Sequence, residues 1–287
     1  MYTLLNLLII TLFFFYSTEL KWNFLPSDCS IEFLPNIGNF IGSDILAGIQ
    51  AKKINVKQDI SMLIDLGTNG EIVLGNKDGI LCTSTAAGPA FEGMNISCGM
   101  RATYGAISSF ESIEGQYKYS VIGDTKPIGI CGSGLVDIIY YLIKEGIINN
   151  EGTLKSEYNG IFNITEKIYI TQKDVREFQL AKSAIQTGVE ILMEEMGILA
   201  DNITNIFLSG GLGHYVNIEK LQKLGLLKMF SKNQIRKESN TALLGCKQFL
   251  FNSNKNYMND IIGKTKIIDL NAHPSFIDKY CENMRVV

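Results

Sequence analysis

Residues 61–75, with the sequence SMLIDLGTNGEIVLG, decide how the rest of the chain is interpreted. The apolar run at residues 61–66 predicts a buried strand, and an apolar strand resumes at residues 71–74. The four residues between them, Gly67-Thr68-Asn69-Gly70, are typical of a tight turn. The stretch therefore predicts a β-hairpin that opens a sheet.

This hairpin carries groups that suit a phosphate and a metal ion. The backbone amides of Gly67, Thr68, Asn69 and Gly70 can point into one concavity, so these four are candidate cofactor-binding residues. Asp65 ends the first strand, where its carboxylate could hold Mg²⁺ through water, which makes it a candidate catalytic and metal-binding residue. An ordinary Asn-Gly hairpin that carries an aspartate explains the same pattern.

A second glycine-rich turn, GICGSG at residues 129–134, precedes a strongly apolar segment that predicts a helix over residues 135–145. Ser133 is the expected N-cap. Because a helix N-terminus attracts anions, Gly132, Ser133 and Gly134 are candidate cofactor-binding residues. A dinucleotide-binding fingerprint is excluded, since its third glycine position holds Asp137. A tight turn with close helix packing is the alternative.

A third turn, within IFLSGGLG at residues 206–213, follows a predicted strand over residues 205–209. Ser209, Gly210, Gly211 and Gly213 leave bare backbone against which an adenine or ribose could lie. Alone, this motif is a weak signal.

The remaining patterns predict alternating helices and strands. Thr171 and Asp174 form a capping box, and apolar residues at three- and four-residue steps continue that helix to Met196. Further helices are predicted at residues 41–49 and 218–227, strands at 79–83 and 119–122, and a loop at 86–101. This order favours an α/β fold with a mixed sheet flanked by helices.

Composition excludes several classes of protein. The chain has 287 residues and a formal net charge of -3, with its 26 Lys and Arg scattered, so no nucleic-acid partner is expected. None of the six cysteines forms a CxxC pair, which argues against a local zinc or iron–sulfur site. Scattered cysteines are typical of reduced thiols, so we expect a cytoplasmic location.

The N-terminus is nearly all apolar over residues 1–16, and we treat residues 1–30 as a separate apolar segment. A core helix is the expected structure. A signal peptide or membrane anchor is the alternative, although no Lys or Arg precedes the apolar run and its length is short for a membrane span.

Taken together, the motifs over residues 31–287 resemble the C-terminal region of the ATP-dependent reductive activators of corrinoid proteins. The resemblance rests on FLPNIGNFIGSDILAGI, LIDLGTNGEIVLGNKDG, CTSTAAGPAFEGMNISCGMRA, IGICGSGLVDII, IFLSGGLGHYVNIEKLQKLGLL, NTALLG and IDLNAHPSFIDKYCENM. It implies the ribonuclease-H-like fold of the actin, sugar-kinase and heat-shock (ASKHA) ATPases, with only the second of two halves complete.

The resemblance also implies a function. Family members bind ATP and Mg²⁺ and couple hydrolysis to the reduction of Co(II) corrinoid to Co(I) on a methyl-transfer protein. The expected partner is therefore a corrinoid protein or corrinoid-dependent methyltransferase. Asp65 and Glu92 would be catalytic, residues 65–71 the second phosphate hairpin, and residues 209–213 the adenosine-side turn. Asp44, Glu92 and Arg101 would face the nucleotide cleft or its hinge.

Two departures from the family stand out. Its first phosphate hairpin, an Asp-x-Gly-Thr unit, is missing before Asp65, and the cysteines that bind its [2Fe–2S] cluster are missing as well. The chain is therefore expected to be an incomplete member that lacks its own electron source. The alternative is a non-catalytic module that interacts with the corrinoid protein or with itself as a dimer. A third hypothesis is a thiol enzyme that uses Cys131 with His214 as base.

Overall fold

The computed structural model describes residues 13–113, 116–213, 215–251 and 256–286. Its strands are β1 (Phe13–Tyr16), β2 (Ser30–Phe33), β3 (Ile60–Leu66), β4 (Gly70–Asn76), β5 (Gly79–Thr85), β6 (Ala106–Ile113), β7 (Gln116–Val121), β8 (Gly129–Ile130), β9 (Ile161–Asn163), β10 (Tyr169–Thr171), β11 (Ile203–Ser209), β12 (Ile235–Lys237) and β13 (Thr265–Ile267). Its helices are α1 (Ser43–Lys52), α2 (Gly132–Lys144), α3 (Gln172–Met196), α4 (Gly210–Gly213), α5 (Ile218–Lys223), α6 (Thr241–Phe251), α7 (Asn256–Lys264) and α8 (Phe276–Glu282). Among these residues we find no helix with both the length and the apolar character that a membrane span requires.

The centre of the fold is a six-stranded mixed sheet in the order β12-β11-β3-β4-β5-β13. The strands β3 and β4 form the antiparallel hairpin predicted at residues 61–75, and β5, predicted as a strand at residues 79–83, pairs antiparallel with β4. The strand β11 then runs parallel to β3, and β12 runs parallel to β11. The predicted α/β fold with a mixed sheet that begins with a hairpin is therefore confirmed.

Alternation along the strands divides the core into two layers. Met62, Ile64 and Leu66 face a large core that includes α2 and α3, whereas Leu63 faces a smaller core formed with α1 and α7. Successive side chains of a strand point to opposite faces, so every position in these strands can be assigned to one layer. The sheet is therefore covered by helices on both faces.

The predicted capping box at the start of α3 is confirmed. The Thr171 hydroxyl accepts a hydrogen bond from the Asp174 amide, and the Asp174 carboxylate accepts one from the Thr171 amide. The helix ends at Met196, as predicted, because Gly197 adopts a left-handed conformation.

A smaller sheet, β7-β6-β8, packs with α2 beside the central sheet. The strand β7 matches the prediction at residues 119–122, but no sequence pattern predicted β6. The expected N-cap at Ser133 is wrong: α2 begins at Gly132 after Cys131, and the Ser133 hydroxyl donates to the Ser108 carbonyl in β6. The serine joins α2 to the sheet instead of capping the helix.

Two other predictions need correction. Residues 13–16 form a strand that pairs with β2, not a core helix, and Phe14 and Tyr16 are largely exposed; residues 1–12 lie outside the described residues. The helix predicted to reach Leu227 ends at Lys223, because Gly225 and Leu227 adopt positive φ angles that a helix cannot include.

Candidate functional site

Four polar residues form one row across the central sheet. Ser209 in β11 is the partner of Asp65 in β3, Asp65 is the partner of Glu71 in β4, and Glu71 is the partner of Ser84 in β5. Partners in register share a face, and this face is that of Leu63 and the smaller core. The sequence predicted Asp65 and Ser209 as separate candidates; the strand pairing places them side by side.

Like charges meet in this row. Burial raises the pKa of Glu71 to about 7, and the negative charges of Asp44 and Asp65 add to the effect. Burial also raises the pKa of Asp65, with the negative charge of Asp44 contributing and the neighbouring Ser209 hydroxyl opposing the change. Asp44, in the first turn of α1, therefore belongs to the same acidic cluster.

We name the opening above this cluster the acidic cavity. Its volume is about 600 Å³, and it is lined by Asp44, Asp65, Ser209, Gly210, Gly211, Tyr215, Ser239, Asn240 and Ala242. These lining residues include two carboxylates and neither lysine nor arginine. An anion in this cavity would lie close to two carboxylates, and a cation bound with it would offset their repulsion.

Gly210 directly follows β11 and packs against the end of β3. Its φ angle is +88°, and a Cβ atom there would lie 2.5 Å from the Leu66 carbonyl oxygen and 2.7 Å from the Asp65 carboxylate. Only glycine accepts both the conformation and the contact. The third predicted glycine turn therefore packs against the end of the strand that leads into the first turn. Gly210 and Gly211 line the acidic cavity, whereas residues 67–70 are not among its described lining residues.

The tip of the hairpin contacts Glu92. The Thr68 hydroxyl donates to the Glu92 carboxylate at 3.0 Å, and the Gly67 amide donates to the Asn69 carbonyl at 3.1 Å within the turn. The Gly67 amide is thus engaged inside the protein. The amides of Thr68 and Asn69 remain the candidates for a bound phosphate.

A second cavity, the inner cavity, has a volume of about 290 Å³ and adjoins the first, because Gly211 and Tyr215 line both. It is lined by Phe91, Glu92, Arg101, Ala102, Cys131, Gly132, Ser133, Gly211, Leu212 and Tyr215. The second predicted glycine turn reaches the site here through Gly132 and Ser133. Arg101 supplies a cation that the acidic cavity does not have.

Six predicted residues are not among the described lining of either cavity: Gly67, Thr68, Asn69, Gly70, Gly134 and Gly213. A Cβ atom on Gly70 would lie 2.8 Å from the Ile185 side chain, one on Gly134 would lie 2.1 Å from the Ile107 carbonyl, and one on Gly213 would lie 2.9 Å from the Leu208 carbonyl. These glycines allow close packing of the elements around the cavities. Their contact with a ligand stays a prediction without geometric support.

The Ser209 side chain also has a structural role. Its hydroxyl is fully buried, donates to the Ser239 carbonyl at 3.0 Å and lies 2.9 Å from the Thr241 hydroxyl. It fixes the start of α6 beside Asp65. The sequence did not single out Tyr215, Ser239 or Asn240 as site residues, although residues 240–245 had been recognised as a family motif.

The thiol-enzyme hypothesis gains no support from the geometry. Cys131 is 2% exposed, and its thiol donates to the Ile107 carbonyl. The proposed base, His214, lies outside the described residues.

The carboxylates of the acidic cavity determine which kind of metal site is possible there. The described residues contain no group of three or more His, Cys, Asp or Glu side chains that could hold a metal ion alone. Asp44 and Asp65 nevertheless line one cavity, and Mg²⁺ is often held by one or two carboxylates together with waters and phosphates. The residues therefore fit a Mg²⁺ ion that arrives with a nucleotide, but not an all-protein metal site.

Comparison with known proteins finds relatives over most of this chain. The chain is 36% identical to "Corrinoid activation enzyme RamQ" of Eubacterium limosum over 283 residues, which cover 88% of this chain and 47% of the relative. It is 31% identical to "[Co(II) methylated amine-specific corrinoid protein] reductase" of Methanosarcina barkeri over 265 residues, covering 84% of this chain and 48% of the relative.

A solved structure shares the fold as well as the sequence. The protein named "Reductive activator for corrinoid,iron-sulfur protein" superposes with a TM-score of 0.83 at 30% identity, over 94% of this chain and 46% of that one. The chain thus spans about half the length of the relatives it matches. Residues 59–287 match the family described as "C-terminal domain of RACo the ASKHA domain". Because that match covers most of the chain, the protein belongs to this family of ASKHA domains of corrinoid reductive activators.

Proposed function

We propose that this chain binds ATP with Mg²⁺ at the acidic cavity and takes part in the ATP-dependent reduction of a Co(II) corrinoid protein to Co(I). The observation that carries the proposal is the close approach of Gly210, in the third glycine turn, to Leu66 and Asp65 at the end of the strand that leads into the first turn. One ligand would therefore lie near both turns. The ASKHA family match and the names of the relatives support the same function.

Charge decides how the nucleotide would bind. A triphosphate that enters a cavity lined by Asp44 and Asp65 meets two like charges at short range. Mg²⁺ removes this repulsion, since it is coordinated by carboxylate and phosphate oxygens at once. We therefore expect ATP binding to depend strictly on Mg²⁺.

The neighbouring residues suit the remaining parts of ATP. The amides of Thr68 and Asn69 would bind the phosphates, and Glu92 accepts a hydrogen bond from the Thr68 hydroxyl. The exposed backbone of Gly211 and the ring of Tyr215 border both cavities, so the nucleoside would lie between them. Fixed dipoles and Mg²⁺ at a transferring phosphoryl group stabilise its developing charge.

The role of ATP in the redox reaction would be conformational. ATP binding or hydrolysis would change the affinity of the activator for the corrinoid protein, which shifts the population of the docked complex. The electron would come from a low-potential iron–sulfur donor, and the acceptor would be the Co(II) corrinoid. Asp44 and Asp65 act in this scheme only by holding the cation and the phosphates.

Calorimetric titration of the whole chain with ATP tests the nucleotide site. Binding should appear with Mg²⁺, disappear with EDTA, and weaken at least about tenfold in Asp65→Asn, because a ligand oxygen and a charge are lost. Asp59→Asn, at an exposed position directly before the same strand, is the matched control and should bind as the wild type does. Equal binding by both variants would exclude Asp65 from the site.

A second test addresses the corrinoid reaction. The chain, a corrinoid protein, Mg-ATP and a low-potential reductant are mixed, and the Co(II) and Co(I) absorption bands are followed with time. Faster formation of Co(I) that requires both the chain and Mg-ATP supports the proposal. Formation at the same rate without the chain contradicts it.

A non-catalytic interaction module is the second candidate function. The observation in its favour is the outer side of α6, where Leu243 is 53% exposed and Leu250 is 79% exposed. Exposed apolar side chains on one helix face are typical of protein contacts. Capture of the corrinoid protein with an affinity that ATP does not change would support this candidate.

A further inference from the structure

The helix α3 carries a polar stripe in the middle of the protein. The stripe consists of Gln179, Lys182, Ser183, Gln186, Thr187 and Glu190, which recur at three- and four-residue steps on one side of the helix. All except Glu190 are at most 1% exposed. Buried polar side chains at core positions are uncommon and need partners, so the stripe must be matched by another part of the chain.

The main partner is residues 280–286, which we name the C-terminal strap. Gln186 is matched elsewhere, by the Leu227 amide and the Glu190 carboxylate. Gln179 donates to the Met284 carbonyl at 2.7 Å, and Lys182 and Ser183 donate to the carbonyls of Arg285 and Tyr280. These three bonds recognise the main chain and not the side chains of the strap.

Side-chain contacts complete the same interface. The Asn283 amide donates to the Thr187 hydroxyl at 3.2 Å and to the Glu190 carboxylate at 3.1 Å. Val286 is fully buried and its amide donates to the Asn150 carbonyl. The strap is thus held by hydrogen bonds along its length and by the buried side chain of Val286.

A polar interface of this kind can open at low cost. When an apolar interface separates, both faces are exposed to water and lose the free energy of burial. When the stripe and the strap separate, their polar groups can form hydrogen bonds with water in place of those with each other. Local opening of residues 280–286 is therefore expected before global unfolding.

The opposite side of α3 touches the candidate nucleotide site. A Cβ atom on Gly70 would lie 2.8 Å from the Ile185 side chain. Gly70 is the last residue of the hairpin turn. The Phe178 ring packs edge-on against Phe91, with centroids 5.8 Å apart, directly before Glu92. One rigid helix thus contacts the strap on one side and the hairpin on the other.

We propose that the C-terminal strap is a releasable element whose docking on the polar stripe of α3 sets the position of the hairpin turn at residues 67–70. The meaning of this coupling for nucleotide binding rests on the function proposed above, but the coupling itself does not require a nucleotide. A strap that is released loosens α3, and through Ile185 it loosens the turn.

Amide hydrogen exchange of the whole chain, without nucleotide, tests the coupling. Lys182→Met removes the bond to the Arg285 carbonyl and keeps an unbranched side chain of similar length. We expect exchange at residues 280–286 and at residues 67–70 to become at least about fivefold faster, the low end of measured couplings between sites. Amides of β3 at residues 62–64 should keep their wild-type rates. Lys173→Met, the same change at an exposed position of α3, is the control and should exchange as the wild type does.

Two results would overturn the proposal. Faster exchange in the strap with an unchanged hairpin turn would show that the strap opens without reaching the site. Unchanged exchange in the strap would show that the stripe does not hold it. Should Lys182→Met fail to fold, exchange of the wild type in low urea decides instead: strap amides must open at lower urea than those of β3, and simultaneous opening refutes a releasable strap.

A nucleotide arm separates this proposal from the proposed function. In the wild type, Mg-ATP should slow exchange at residues 280–286, since coupling between two sites is reciprocal. Bound Mg-ATP with an unchanged strap would count against the coupling. Absence of ATP binding would count against the nucleotide function alone, because the exchange experiment without nucleotide still decides the coupling.

Discussion

Replacing Glu71 by glutamine should stabilise the protein at alkaline pH and have little effect in acid. Glu71 faces Asp65 directly across the β3–β4 pair, and their like charges repel. Burial is the largest cause of the rise in the pKa of Glu71, and Asp44 and Asp65 add to it. At a pH between 4.5 and about 7, Glu71 is therefore protonated in the folded protein and ionised in the unfolded chain.

The sign and size follow from linkage between protonation and folding. Because the pKa of Glu71 is about 7 in the folded state and 4.5 in the reference state, its favourable contribution is complete below 4.5 and is lost as the pH rises to about 7. This difference between the two pKa values corresponds to a change of at most about 3.4 kcal/mol in the free energy of unfolding. The side chain is partly exposed, so solvent screening reduces the expected loss to about 1–2 kcal/mol. The glutamine of the variant does not ionise and avoids this loss.

The assay is urea denaturation between pH 5 and pH 8, followed by circular dichroism, since the single tryptophan, Trp22, lies outside both cores. The free energy of unfolding of Glu71→Gln should exceed that of the wild type by about 1–2 kcal/mol at pH 8, and the difference should shrink toward pH 5. Glu166→Gln, at an exposed position, should show no such trend. A difference that is the same at every pH, or a less stable variant at pH 8, would refute the acidic cluster.

Three further changes test the fold around the site by urea denaturation. Gly210→Ala should cost about 1–3 kcal/mol, because the φ angle is +88° and the new methyl group meets the Leu66 carbonyl, whereas Gly211→Ala has open space and should be nearly neutral. Thr171→Ala should cost about 1 kcal/mol through the lost capping box, and Thr171→Ser should restore most of it. Lys220→Met should cost about 3 kcal/mol at pH 7, because it leaves the buried Asp137 carboxylate without the cation 2.8 Å away.

Local patterns were predicted well because their causes are local. The hairpin at residues 61–75 and the capping box of α3 depend on neighbouring residues, and both appear where the sequence indicated. The Ser133 cap failed because a hydroxyl can bond a distant carbonyl as readily as a helix amide, and Ser108 offered one. The strand at residues 13–16 was missed because an apolar run of this length suits a helix or a strand equally.

The site was predicted as separate motifs, whereas its chemistry depends on how they pair. The sequence indicated Asp65 and Ser209 but could not show that they are partners across two parallel strands. It also could not separate Gly210, which borders the cavity, from Gly213, which packs on β11. Tyr215 was missed for the same reason: only the approach of α2 toward the third glycine turn places it between two cavities.

Strand register therefore determines whether this fold has a site at all. A slip of one residue between β11 and β3 would turn Ser209 to the opposite face of the sheet and move Gly210 off the Leu66 carbonyl. The Gly210 contact resists such a slip, since no residue with a Cβ atom fits at that distance. The Ser209 hydroxyl resists it as well, because it is bonded to the Ser239 carbonyl at the start of α6. The contacts that bring Asp65 beside the third turn are thus the same contacts that fix the register of β11 and β3. A variant that weakens these contacts should therefore disturb both the register and the site.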